Sequence, residues 1–203
     1  MLNQLKSQFH QISLPRLTAY FIILLGGIFI FSPALFSGQY NGFKLDKSSL
    51  IPLNEIHHGG PPKDGIPSID SPKFITAPEA TTLHDNDRVI GISTKSSVKA
   101  YPIRILNWHE IVNDGDIVIS YCPLCGTGMA FISPNADFGV SGLLYNSDML
   151  LYDRKTESLW SQIFGKAISG PRKGEALELI AVENTSWKNW QDNHPDTLVL
   201  SEK

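Results

Sequence analysis

Asp116-Ile117-Val118-Ile119-Ser120-Tyr121, Cys122-Pro123-Leu124-Cys125-Gly126, then Gly128-Met129-Ala130-Phe131-Ile132 form the stretch that decides the fold. The first and last runs read as strands, rich in β-branched and aromatic residues. The middle run is a tight turn that carries the only two cysteines of the chain, with two residues between them. Two thiols on a turn between strands can hold one soft metal ion or close a disulfide.

The residues after the second cysteine bear on that choice. A thioredoxin-like thiol gains its reactivity from a helix N-terminus. Here Gly126-Thr127-Gly128 follows, and two glycines discourage a helix start. The pattern is closer to the knuckle of rubredoxins and zinc ribbons, where backbone N–H groups fold toward sulfur. Glycine after the second cysteine allows the positive φ that such a turn needs. Two thiolates do not fill a tetrahedral site, so further ligands must come from His, Asp, Glu, solvent or another chain. His109 is the nearest candidate in sequence, and His57, His58, His84 and His194 rank below it. With imidazole added, zinc or copper(I) suits the donor set better than magnesium or calcium. The function expected is a redox or metal-handling role at that site. The alternatives are a metal-free thiol–disulfide redox protein using Cys122 and Cys125, and a non-catalytic binding or scaffold domain whose disulfide is structural.

Outward from the hairpin, Asn113-Asp114-Gly115-Asp116 is a turn signal leading into it. Arg88 to Ser93 and Ser97 to Ile103 read as strands joined by a turn, and Ile103 to Ile111 as a short helix. Pro78 opens another short helix through Thr82. Further strands are expected at Phe138 to Val140, Met149 to Asp153, Ala176 to Val182 and Thr197 to Leu200. Thr185 or Ser186 caps a helix from Trp187 to Asn193, which Pro195 closes. Asn146-Ser147-Asp148 reads as a hairpin turn and Trp160 as core. The fold class expected is α+β and β-rich, a mainly antiparallel sheet with few short helices, preceded by one N-terminal transmembrane helix.

That helix is expected at 17–36, a run without a charged residue. As a helix it would reach about 30 Å, the hydrocarbon thickness of a bilayer. Lys6 and Arg16 precede it, so the tail 1–16 is expected in the cytoplasm and the rest outside, periplasmic in a Gram-negative cell. Ser32-Pro33-Ala34 loosely fits a cleavage site, which would release a secreted protein, but Leu35 and Phe36 extend the apolar run and favour an uncleaved anchor. Either route places the thiols in an oxidising compartment. Residues 37–58 are expected to be a linker and 59–203 the extracytoplasmic domain.

The chain has 203 residues, 42% of them hydrophobic and 18% charged, and a net charge of −3. Setting aside Lys6 and Arg16 leaves 15 basic against 20 acidic residues and a charge of −5. A domain of that sign has no electrostatic case for nucleic acid. Phosphate-binding loops, dinucleotide fingerprints, nucleophile elbows and paired-histidine protease motifs are all absent from the sequence. The partners expected are the membrane, through the N-terminal helix, and a protein partner or second chain that completes the metal site.

Several blocks carry a resemblance. Gly59-Gly60-Pro61-Pro62-Lys63-Asp64-Gly65-Ile66-Pro67-Ser68-Ile69-Asp70, Asn107-Trp108-His109-Glu110-Ile111-Val112-Asn113-Asp114 and Tyr121-Cys122-Pro123-Leu124-Cys125-Gly126-Thr127 are similar to motifs of the domain of unknown function 3179 family. So are Phe138 to Asp148, Thr156 to Gln162 and His194-Pro195-Asp196-Thr197. The family is exported or membrane-anchored, and no activity is settled for it. The resemblance makes the Gly59 to Asp70 arm part of the domain. It raises His109 and Asp70 as site candidates, with Glu110 beside them. It also implies a C-terminus shorter than the family pattern, so closing strands or ligands are expected to be missing after Lys203.

Overall fold

Alternation along the cysteine strand builds the core on both sides of it. The computed structural model describes residues 40–201 apart from 46, 135 and 136. Among these, fourteen strands and two short α-helices are arranged in three sheets. The strands are β1 (Ile56–His58), β2 (Lys73–Thr76), β3 (Arg88–Ser93), β4 (Val98–Pro102), β5 (Ile111–Asp114), β6 (Ile117–Cys122) and β7 (Thr127–Ile132). They continue with β8 (Phe138–Tyr145), β9 (Asp148–Asp153), β10 (Leu159–Ser161), β11 (Lys166–Ser169), β12 (Glu178–Ile180), β13 (Glu183–Ser186) and β14 (Leu198–Ser201). Helix α1 is Ile103–His109 and α2 is Trp187–Asn193.

The central sheet runs β12-β7-β6-β5. On β6, Val118 and Cys122 join one core cluster while Ile119 and Tyr121 join another, as the period of two requires. The first cluster meets Phe138, Val140, Met149, Leu151 and Trp160 of the sheet β1-β8-β9-β10-β11. The second meets Ile90, Ile92 and Tyr101 of the sheet β13-β3-β4-β14-β2, with Ile105 and Leu106 of α1. Cys122 therefore lies at the end of a strand buried between two sheets. Every named pairing is antiparallel except β4 with β14.

The outer faces are covered differently. Trp187 and Trp190 of α2 cover the β3 side, and Ser186 caps that helix by accepting from the Asn189 N–H. The Trp190 ring lies so close to Gly91 that an added Cβ would sit 2.2 Å from it. The outer face of the β8–β9 sheet is covered by Phe43, Ile51 and Ile56. This corrects the linker expected at 37–58: from Tyr40 the chain is packed into the domain, and β1 pairs with β8. Phe43, Ile51 and Ile56 are buried there and shield apolar surface that water would otherwise reach.

The Gly59 to Asp70 arm continues onto β8. Gly59 N–H donates to Gly142 O at 2.8 Å and Asp64 N–H to Val140 O at 2.9 Å. The register of β8 shifts between Val140 and Leu143, where Gly142 has φ +70°. An added Cβ there would lie 2.1 Å from Pro61 O, so glycine is required by the arm as well as by the bulge.

The β6–β7 hairpin, β3, β9 and α2 lie where the sequence places them. The Pro78 segment is a 3-10 turn, Ala77–Glu79, closed by reciprocal Thr76 and Glu79 bonds. Strand β8 runs on to Tyr145, beyond the expected Val140. The N-terminal tail and the expected membrane helix lie outside the described residues. Among the described residues, no helix is long and apolar enough to cross a membrane.

Candidate metal centre

Gly126 sets the shape of the cysteine turn. Its φ is +68°, and its N–H donates to Cys122 O at 2.8 Å. Cys122 is buried, Cys125 is exposed, and both are free thiols. The Cys125 N–H points to the Cys122 sulfur, as in a metal knuckle. Burial, above all, pushes the Cys122 thiol up to about 12, and the neighbouring Cys125 and Asp148 charges add to it.

The third group comes from the next hairpin. Asn146 and Ser147 have φ of +50° and +63°, the paired left-handed conformation of a two-residue hairpin turn between Tyr145 and Asp148. This turn delivers Asp148 to the cysteines. Its Oδ1 accepts from Cys125 Sγ at 3.1 Å, and its Oδ2 from the Ile163 N–H at 3.3 Å. Asp148 is almost fully buried, and that burial raises its pKa despite these bonds. Cys122 Sγ lies 3.9 Å from Ser147 O. One ligand atom from each of Cys122, Cys125 and Asp148 fits within a span of 4.8 Å.

These donors fit a soft ion. A tetrahedral ion with bonds of about 2.3 Å to sulfur and 2.0–2.2 Å to oxygen sets its ligand atoms roughly 3.5–3.8 Å apart. The cluster needs only small side-chain adjustment to meet that. Two thiolates and a carboxylate would leave one position of four for solvent or substrate. The sequence pointed to the cysteines and missed Asp148 as a ligand, because Asn146-Ser147-Asp148 is also an ordinary turn signal. The available clue was an acid placed directly before the core run Met149-Leu150-Leu151.

His109 is not part of this cluster. It ends α1, and its Nδ1 lies 2.8 Å from Pro67 O. The helix carries it toward the 59–70 arm, so nearness in sequence did not become nearness to sulfur. Asp70 lies in a separate group, accepting from Ser68 Oγ at 2.7 Å and Asn113 Nδ2 at 2.8 Å, with Arg154 Nη1 at 3.3 Å. Burial opposes ionisation of Asp70, but these bonds and the Arg154 charge outweigh it and lower its pKa. Arg154 also binds Asp137 and Ser68.

Glu110 shares a cavity with Cys122. It caps α1 with φ +56° and ψ −32°, an unusual conformation for a residue with a Cβ. Its N–H donates to Leu106 O at 2.8 Å and its O accepts from the Tyr121 N–H at 2.7 Å, so the backbone is held on both sides. Burial pushes its carboxyl up to about 7. Glu110 and Cys122 line the same cavity, of about 240 Å³.

The fold and the site together define a β-rich three-sheet domain with a two-thiol, one-carboxylate centre between hairpins. The chain belongs to the DUF3179 family, proteins of unknown function, whose model matches residues 63–203. No curated protein and no solved structure matches it.

Proposed function

We propose that Cys122, Cys125 and Asp148 bind one soft metal ion, zinc or copper(I), in a membrane-anchored domain outside the cytoplasm. The observation that carries this is electrostatic. Three groups that form anions lie together, Cys122 and Asp148 buried and Cys125 exposed, and among the described residues no Lys, Arg or His pairs with any of them. Without a cation, burial disfavours the charged forms of Cys122 and Asp148, whose pKa values are raised. A bound cation reverses that preference by stabilising every deprotonated ligand. The centre then serves redox chemistry or metal handling through its open fourth position. Anchoring is supported by the uncharged run 17–36 behind Lys6 and Arg16.

Elemental mass spectrometry on protein purified without chelator, under reducing conditions, tests the reading. It calls for about one zinc or copper per chain, lost in Cys122→Ser/Cys125→Ser. No metal in the wild type, with thiols that cycle reversibly between dithiol and disulfide, would replace it with thiol–disulfide chemistry.

A further inference from the structure

The cavity beside Cys122 has a chemistry of its own. Its walls include Ile66, Val140, Leu144 and Met149, and its solvent edge includes Asn107 and Leu124. Among the described residues, Glu110 is the only charged residue lining it, and no Lys or Arg does. Among the described residues, no side chain is shown hydrogen-bonded or ion-paired to the Glu110 carboxyl. A partly buried carboxylate without a counter-charge, on a backbone fixed at both its N–H and its C=O, is a preorganised acceptor. Its complement is a hydrogen-bonding cation attached to an apolar body. The volume of about 240 Å³ is below the usual range for drug-sized ligands, which starts near ~300 Å³, so the body must be small.

We propose that this cavity binds a small organic amine, its apolar part against Ile66, Val140, Leu144 and Met149 and its ammonium on the Glu110 carboxylate. Asn107 at the edge offers an amide oxygen to a second N–H of the same group. The inference goes beyond the metal reading and stands whether or not an ion occupies the thiols. If both hold, the amine lies beside the metal centre, because Cys122 belongs to each.

The test is isothermal titration of n-butylamine into the full chain in lipid nanodiscs, with empty nanodiscs as reference. n-Butanol and butyrate serve as neutral and anionic comparators of the same length. Saturable amine binding is expected, with both comparators at least about tenfold weaker. Glu110→Gln is expected to weaken the amine by about tenfold or more. Leu144→Trp, which fills the cavity and leaves the carboxylate in place, is expected to weaken it similarly. Metal content is measured on the same samples, so failure of the metal reading shows there and failure of the amine site shows in the titration. Absence of saturable binding overturns the proposal. So does binding that is equal for amine and alcohol, or that survives Glu110→Gln. Binding indifferent to Glu110→Gln but lost in Cys122→Ser/Cys125→Ser also overturns it, by moving the amine onto a thiol-bound ion.

Discussion

Two polar clusters of this domain hold similar numbers of acidic groups and treat them in opposite ways. Around Arg154, the carboxylates of Asp64, Asp70 and Asp137 surround a guanidinium, and the pKa of Asp70 falls. Around Cys122, two thiols and Asp148 are crowded together with no basic side chain paired to them among the described residues, and the pKa values of Cys122 and Asp148 rise. The first cluster carries its own counter-charge and fastens the 59–70 arm to β9 and its neighbours. The second lacks a counter-charge, and its donor atoms suit a soft ion. A cluster completed from within the chain is structural; one that lacks an internal counter-charge is a candidate site.

The sharpest way to break that contrast is Asp148→Ala. Losing a partner that only supports a metal ligand typically costs about 10–100-fold in affinity. Losing a direct ligand should cost at least the upper end, about 100-fold. Competition with a chromophoric chelator measures it. Unchanged affinity would reduce Asp148 to a thiol's hydrogen-bond partner and leave the knuckle without a third ligand.

The parts of this contrast were unequally legible in the sequence. The cysteine hairpin was readable because strand-forming runs flank a turn whose glycine takes the positive φ the structure shows. Helix α2 was readable from its serine cap. Strands β10 and β11 were not, because Ser158, Ser161, Gln162 and Ser169 are buried there and erase the apolar pattern. Their burial is made possible by tertiary bonds such as Gln162 Nε2 to Ser120 Oγ at 3.0 Å, which no local pattern encodes. The same limit applies to the site. The pair Cys122 and Cys125 is close along the chain, whereas Asp148 arrives through the packing of one hairpin turn on another. His109 was expected from its nearness in sequence and its family-like block, whereas α1 carries it to Pro67 and outside the Cys122, Cys125 and Asp148 group.

Arg154→Met sharpens the other side of the comparison. Removing the guanidinium leaves Asp64, Asp70 and Asp137 without their shared cation. Partial exposure softens the loss, so about 2 kcal/mol of destabilisation is expected in urea unfolding. Metal content should not change. A variant that loses metal would show that the arm, and not only the knuckle, shapes the centre.

Glu110→Gln gives a smaller effect with a defined pH signature. The folded carboxyl titrates at about 7 against an ordinary value of 4.5, because burial disfavours its charge. The folded state therefore binds more protons than the unfolded state between those values, and stability falls as pH rises across that window. Below it the penalty is absent; above it the penalty is complete. Partial exposure leaves about 1–2 kcal/mol. Without added amine, Glu110→Gln should match the wild type near pH 4 and be more stable by that amount near pH 8. Parallel stability curves for the two proteins would show that Glu110 ionises as freely folded as unfolded.

Asp70→Asn should do least, and its sign is opposite. The folded pKa of Asp70 is lowered below 3.8, so its contribution is complete above that value and is lost as pH falls through the folded pKa. The side chain is half exposed, which limits the contribution to less than about 1 kcal/mol. Thermal unfolding at pH 7 should show a small destabilisation in Asp70→Asn, shrinking toward zero in strong acid. Metal content should again be unaffected, although Asp70 lies in a family-like block and was a site candidate from sequence. A loss of metal in this variant would remove the distinction between the two clusters, because Asp70 already has partners within the chain. The arm would then belong to the centre, and Arg154 would be a residue that positions it.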